Sequence, residues 1–115
     1  MTTIFGIRNC DTMKRAMDWL ARNGVDYEFH DYKKNGVEPD LLARWSSQAG
    51  WETLLNTRGT SWRKLAESQR ADMNEEKALA LMRQQPSLIK RPVLQHNGDI
   101  LVGFDEQAYR KEFGG

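Results

Sequence analysis

The sequence predicts an α/β chain that runs βαβ, then a helical stretch, then ββα, and three observations carry that reading. A short apolar, β-branched run at residues 3–7 is followed at once by a helical stripe. Alternating apolar residues at Val25, Tyr27 and Phe29 supply a second strand. Near the end of the chain, Asn97-Gly98 joins two further strand-like runs, a strong hairpin signal because both residues accept positive φ.

Each element has a local reason. Thr3-Ile4-Phe5-Gly6-Ile7 is the continuous kind of run expected of a strand covered on both faces. Met13, Ala16, Met17 and Leu20 fall at i, i+3, i+4 and i+7, the stripe of an amphipathic helix, which Asn23-Gly24 should end. Val25, Tyr27 and Phe29 then alternate with Asp26, Glu28 and His30, the period of a half-buried strand. Two strands joined through a helix must be parallel, with a right-handed crossover. From about residue 38 to residue 86 the chain reads as helical. Pro39 suits a first helical turn, Leu41, Leu42 and Trp45 line one side, and Ala49-Gly50 ends the helix. Shorter pieces are expected around Trp51–Leu55 and Ser61–Ser68. A longer helix is expected from about Asp72, with Glu75 as its capping-box partner, through Leu79 and Met82 to Pro86. Pro92–His96 and Asp99–Val102 form the hairpin, and Asp105-Glu106 puts negative charge at the start of a last helix over Gln107–Phe113. Two parallel strands followed by an antiparallel hairpin make a four-stranded mixed sheet of thioredoxin-like type with an inserted helical subdomain.

Composition bounds the rest. At 115 residues and 39% hydrophobic content, residues 1–115 are expected to form one domain. No run approaches the length of a membrane-spanning helix, and Met1-Thr2-Thr3-Ile4 lacks a signal-peptide plan, so a cytoplasmic protein is expected. A formal net charge of +1 gives no overall field for nucleic acid or anionic membrane. One cysteine cannot make an internal disulfide, and with two histidines it makes a poor ligand set, so no metal site and no bound cofactor are expected. Arg8, Lys14, Arg15, Arg58, Arg63, Lys64, Lys90 and Arg91 fall in segments expected near one site, although solvated faces also carry charge.

The chemistry-bearing residue is Cys10, between the first strand and the first helix. Its sulfur should face the free N–H groups of that helix, which stabilise thiolate and bring such cysteines from about 8.5 down into the range ~3.5–7.5. A buried, inert cysteine is the other reading. Three residues on stands Met13, so the two-cysteine pattern that resolves its own mixed disulfide is missing and a second thiol must come from outside. Glutathione is the natural cytosolic supplier, and its carboxylates would suit Arg58 and Arg91. Arg58 lies in the polar loop Leu55–Thr60, where a guanidinium could meet an anion or simply face solvent.

Asn9-Cys10-Asp11-Thr12 after a strand, Leu54-Leu55-Asn56-Thr57-Arg58-Gly59, Leu88-Ile89-Lys90-Arg91-Pro92 before a hairpin, and the closing Val102-Gly103-Phe104 together resemble the ArsC/Spx family, most closely its YffB branch. The resemblance spans essentially the whole chain. It implies a thioredoxin fold with a helical insertion, Cys10 as nucleophile, and Pro92 as a cis-proline facing it. It also implies that Arg91, before that proline, activates the thiol. Arg58 matches an arginine of the Spx and YffB branches, and Asn9, Arg58, Arg91 and Pro92 are the implied glutathione or substrate contacts. A further arginine of the arsenate-reducing members aligns with Gly103 here. The resulting expectation is a monomeric, glutathione-dependent monothiol reductase acting on small-molecule or protein disulfides or glutathionylated substrates. Glutathione-coupled arsenate reduction, disfavoured by Gly103, and a non-enzymatic Spx-like regulator that binds RNA polymerase are the alternatives.

Overall fold

A computed structural model of the chain describes residues 1–8 and 10–114. Its strands are β1 (Thr2–Gly6), β2 (Glu28–Asp31), β3 (Val93–His96) and β4 (Asp99–Val102), side by side in the order β2-β1-β3-β4. β1 pairs parallel with β2 and antiparallel with β3, and β3 pairs antiparallel with β4. The sheet is therefore mixed, as the βαβ opening and the C-terminal hairpin require. At the hairpin both Asn97 and Gly98 have positive φ, the backbone of the tight turn that their dipeptide favours.

Alternation along the central strands builds two cores. Ile4 and Leu94 point to one face, where α1 (Asp11–Arg22) and α8 (Glu106–Gly114) supply Met13, Ala16, Trp19, Leu20 and Tyr109. Phe5 and Val93 point to the other, where the helical middle supplies Leu42, Trp45, Leu54, Leu81, Met82 and Leu88. That middle consists of α2 (Tyr32–Asn35), α3 (Pro39–Ala49), α4 (Trp51–Leu54), α5 (Thr60–Arg63), α6 (Glu67–Arg70), α7 (Glu75–Gln84) and a 3₁₀ turn at Pro86–Leu88. It packs on the sheet, with Trp45 edge-on to Phe5 and its indole N–H donating to Gln95 at 2.9 Å.

Three expected boundaries move, each for a visible reason. β2 begins at Glu28 and not at Val25 because Val25 belongs to the end of α1. Its N–H bonds Leu20 O at 2.9 Å while Gly24 N–H bonds Ala21 O at 3.2 Å and Gly24 takes positive φ, a Schellman ending that uses residues 24 and 25. α7 begins after Asn74 and not at Asp72. Asn74 Oδ1 accepts from Lys77 N–H at 2.9 Å, Asp72 sits in the left-handed region with φ 50°, and Glu75 accepts from Ser46 Oγ at 2.6 Å and closes no capping box. Finally, residues 61–68 form no continuous helix: α5 ends at Arg63, and Leu65 is drawn into the core before α6 starts.

Candidate active site

Cys10 is the residue immediately before α1, in extended conformation, with its carbonyl accepting from Lys14 N–H at 2.9 Å. It is half-buried, and its side chain packs against the core under α1 and α8. The N–H groups of Met13 and Thr12 and the guanidinium of Arg91 face the sulfur. Burial is the largest single influence on the thiol and pushes it up; the Met13 amide, Arg91 and the Thr12 amide together outweigh it, and the thiol ends below its ordinary value. The positive end of α1 and one buried-edge cation thus shift the thiol's equilibrium toward thiolate.

Met13, where a resolving cysteine would stand, is fully buried. It packs so closely on β1 that a Cβ at Gly6 would collide with its sulfur, and the thioether fills the junction where β1 meets α1.

Arg91 reaches the thiol from a strap across the sheet end. The strap is pinned by Asn56 N–H to Leu88 O at 2.8 Å and Lys90 N–H to Leu54 O at 2.7 Å, a one-residue β-bridge between Leu55 and Ile89. The Arg91-Pro92 peptide is cis, as the family resemblance implies, and buried Pro92 accepts from Gly103 N–H at 2.8 Å. The guanidinium is half-buried: Nη1 makes one long contact, 3.5 Å, to Ser87 O, and the buried Nε–H has no acceptor among the described residues. Burial works against its charge, but Cys10 and Tyr32 facing it prevail and hold it protonated.

Tyr32 is the member of this cluster that sequence reading missed. It is fully buried at the first residue of α2, its hydroxyl donates to Ile89 O at 2.6 Å, and its ring packs under the strap that carries Arg91. Burial is the main cause that pushes its ionisation up to about 12, so the phenol stays neutral. The one available signal was its place directly after Asp31, the residue paired with Gly6 at the end of β1, where the loop toward Cys10 also starts.

The other expected site residues are placed differently. Arg58 is exposed, and among the described residues its main chain alone is engaged: its N–H donates to Asn56 Oδ1 at 3.0 Å and its carbonyl accepts from Arg63 Nη2 at 3.0 Å. It is not among the groups that influence the Cys10 thiol. Asn9 lies outside the described residues. Of the basic cluster, Arg8 covers the Phe29 ring at 5.7 Å and Arg15 the Phe104 ring at 5.9 Å, while Lys14, Arg63, Lys64 and Lys90 are exposed.

Residues 5–112 match the model of the ArsC family, so the span includes the end of β1, Cys10, the strap and the hairpin. The chain belongs to the ArsC family. An uncharacterised protein of Haemophilus influenzae is 39% identical over 98% of this chain and 99% of its own length. The global transcriptional regulator Spx of Streptococcus mutans is 27% identical over 96% of this chain and 81% of its own. Among solved structures, one named YFFB protein is 50% identical, covers 96% of this chain and 97% of its own, and superposes with a TM-score of 0.93. An arsenate reductase (ArsC) related protein of Brucella melitensis is 48% identical over 98% of this chain and 94% of its own, at a TM-score of 0.77. The YffB branch of the ArsC/Spx family is thereby the chain's place, with the thioredoxin-like α/β fold. At the level of the family, these relatives support thiol-based redox chemistry, and they include a transcriptional regulator as well as arsenate-reductase-like proteins.

Proposed function

We propose that this ArsC-family protein is a glutathione-dependent monothiol reductase. The observation that carries the reading is a single cysteine at the N-terminus of α1, lowered in pKa by helix amides and Arg91, with a buried methionine where a resolving cysteine would be. Cys10 thiolate attacks the glutathione sulfur of a mixed disulfide RS–SG, the S–S bond breaks, and RS⁻ leaves. A glutathione thiolate then attacks the glutathione sulfur of the Cys10 adduct, restores Cys10 thiolate and departs as oxidised glutathione. The proton lost from that glutathione is taken up by RS⁻, so RSSG and GSH give RSH and GSSG. Arg91 favours the thiolate at the start and regenerates it as the better leaving group at the end. Arg91, Asn9, Pro92 and Arg58 are the residues assigned to glutathione or substrate contact. A cytoplasmic, monomeric protein fits this chemistry, since reduced glutathione is the cytosolic thiol buffer.

Arsenate reduction ranks below this reading. By the family resemblance, Gly103 stands where the arsenate-reducing members place an arginine, and a glycine supplies no cation for an oxyanion. Intact-mass detection of a Cys10–glutathione adduct after mixing with oxidised glutathione between pH 5 and 8, then its release by reduced glutathione, tests the proposal. Rapid, reversible adduct formation well below pH 8 supports it; an adduct that forms only near pH 8 and above, or none, overturns it.

A further inference from the structure

We propose that Tyr32 is a positioning residue for the thiol: by holding Ile89 O, its hydroxyl fixes the strap that carries the Arg91 guanidinium toward Cys10, and it does so without a charge of its own. This inference rests on reading Cys10 as a reactive thiolate. A phenol carries one hydrogen and two lone pairs. That hydrogen is committed to Ile89 O at 2.6 Å, so the hydroxyl offers the neighbouring Arg91 guanidinium only lone pairs. A guanidinium only donates, and the one hydrogen bond that the Arg91 side chain makes among the described residues is the 3.5 Å contact to Ser87 O, so its direction toward Tyr32 and Cys10 is set by the strap that carries it.

The Tyr32 bond to Ile89 O fixes the strap. Ile89 precedes Arg91 by two residues; Leu54 and Asn56 hold the strap along one edge, and Tyr32 holds Ile89's carbonyl from within the core. Tyr32 is in turn anchored by α2, whose capping residue Asp31 accepts from Lys33 N–H at 3.0 Å and Lys34 N–H at 3.2 Å and pairs with Gly6 at the end of β1. Thiol and cation are therefore both referenced to the end of β1, one through the loop to Cys10 and one through Tyr32. A carboxylate at this place would orient Arg91 as well but would neutralise it as an ion pair. The buried phenol stays uncharged and orients without neutralising.

The test follows the pH dependence of Cys10 alkylation by iodoacetamide in wild type, Tyr32→Phe, Arg91→Ala and the double variant, each with far-UV circular dichroism. Tyr32→Phe is expected to move the thiol midpoint up by about 0.5 unit, a roughly threefold rate loss at a pH below both midpoints. In the Arg91→Ala background the same substitution is expected to move the midpoint no further, because the hydroxyl acts through the guanidinium. A low wild-type midpoint that Tyr32→Phe leaves unchanged, or a shift that persists undiminished without Arg91, overturns the positioning role. An ordinary wild-type midpoint overturns instead the thiolate reading on which it rests. Should Tyr32→Phe lose its fold, nuclear magnetic resonance of wild-type Arg91 decides: a guanidinium with hindered rotation and a cross-peak to the Tyr32 ring supports the role, and a freely rotating one overturns it.

Discussion

Tyr32 and Tyr109 are both completely buried, one beneath each face of the sheet, and both are pushed up in pKa chiefly by burial. Their surroundings differ. Tyr109 sits in an aromatic nest, edge-on to Trp19 at 5.6 Å and to Phe104 at 4.8 Å, and its hydroxyl has no partner among the described residues. Tyr32 donates to a strap carbonyl and faces the guanidinium that faces the thiol. Burial alone therefore identifies no site. What separates the two faces is whether polar groups converge on a reactive atom, as they do around Cys10, or are left over from packing.

Substitutions can break that contrast, and the largest effect belongs to the thiol. Cys10→Ser is expected to abolish adduct formation with oxidised glutathione while preserving the circular dichroism spectrum. It also carries a pH signature. A thiol lowered in the fold from its ordinary 9.0 stabilises the folded state fully above 9.0, and that stability is lost as the pH falls through the lowered folded value. Wild-type urea midpoints should therefore rise with pH across this window, and Cys10→Ser should flatten that component. Next comes Arg91→Ala, expected to raise the alkylation midpoint by about one unit, roughly a tenfold slower reaction at acidic pH. An unchanged profile would remove Arg91 from the site.

The two tyrosines sharpen the comparison directly. Tyr32→Phe leaves Ile89 O without its donor and should cost about 1–2 kcal/mol in urea unfolding, besides its effect on the thiol. Tyr109→Phe removes a buried hydroxyl that has no partner and should change stability by less than about 0.5 kcal/mol, or raise it, without touching the alkylation profile. Equal effects of the two substitutions on the thiol would erase the distinction between the faces. The smallest expected effect is that of Arg58→Ala on the same profile: no measurable shift, since exposed Arg58 is not among the groups that act on the sulfur. If Arg58 serves substrate capture, that variant should weaken glutathione release kinetics alone.

What the sequence made legible is what local physics decides. The apolar run of β1, the stripe of α1, Pro39 at the start of α3 and the Asn97-Gly98 turn each carry their conformation within a few residues. Cys10 was legible for the same reason, since a strand-to-helix turn places a thiol against free amides wherever it occurs. The resemblance supplied the pairing with Arg91 and the cis-proline. Tyr32 was not legible because its partner, Ile89, lies 57 residues away and a four-residue helical turn has no periodicity to read. β2 and α7 were misplaced where two local signals competed for the same residues: Val25 as strand or helix ending, and Asp72 or Asn74 as cap. Arg58 shows the converse, because a motif match fixed its identity in the chain but not its reach toward the thiol.

The most direct measurement is the pH dependence of iodoacetamide alkylation of the native protein's single cysteine between pH 5 and 9, read by intact mass. A midpoint well below the ordinary range of about 8.5–9 is the expected result, and it would establish Cys10 as a thiolate prepared by α1 and Arg91. A midpoint at or above that range would contradict it and leave Cys10 an ordinary half-buried thiol.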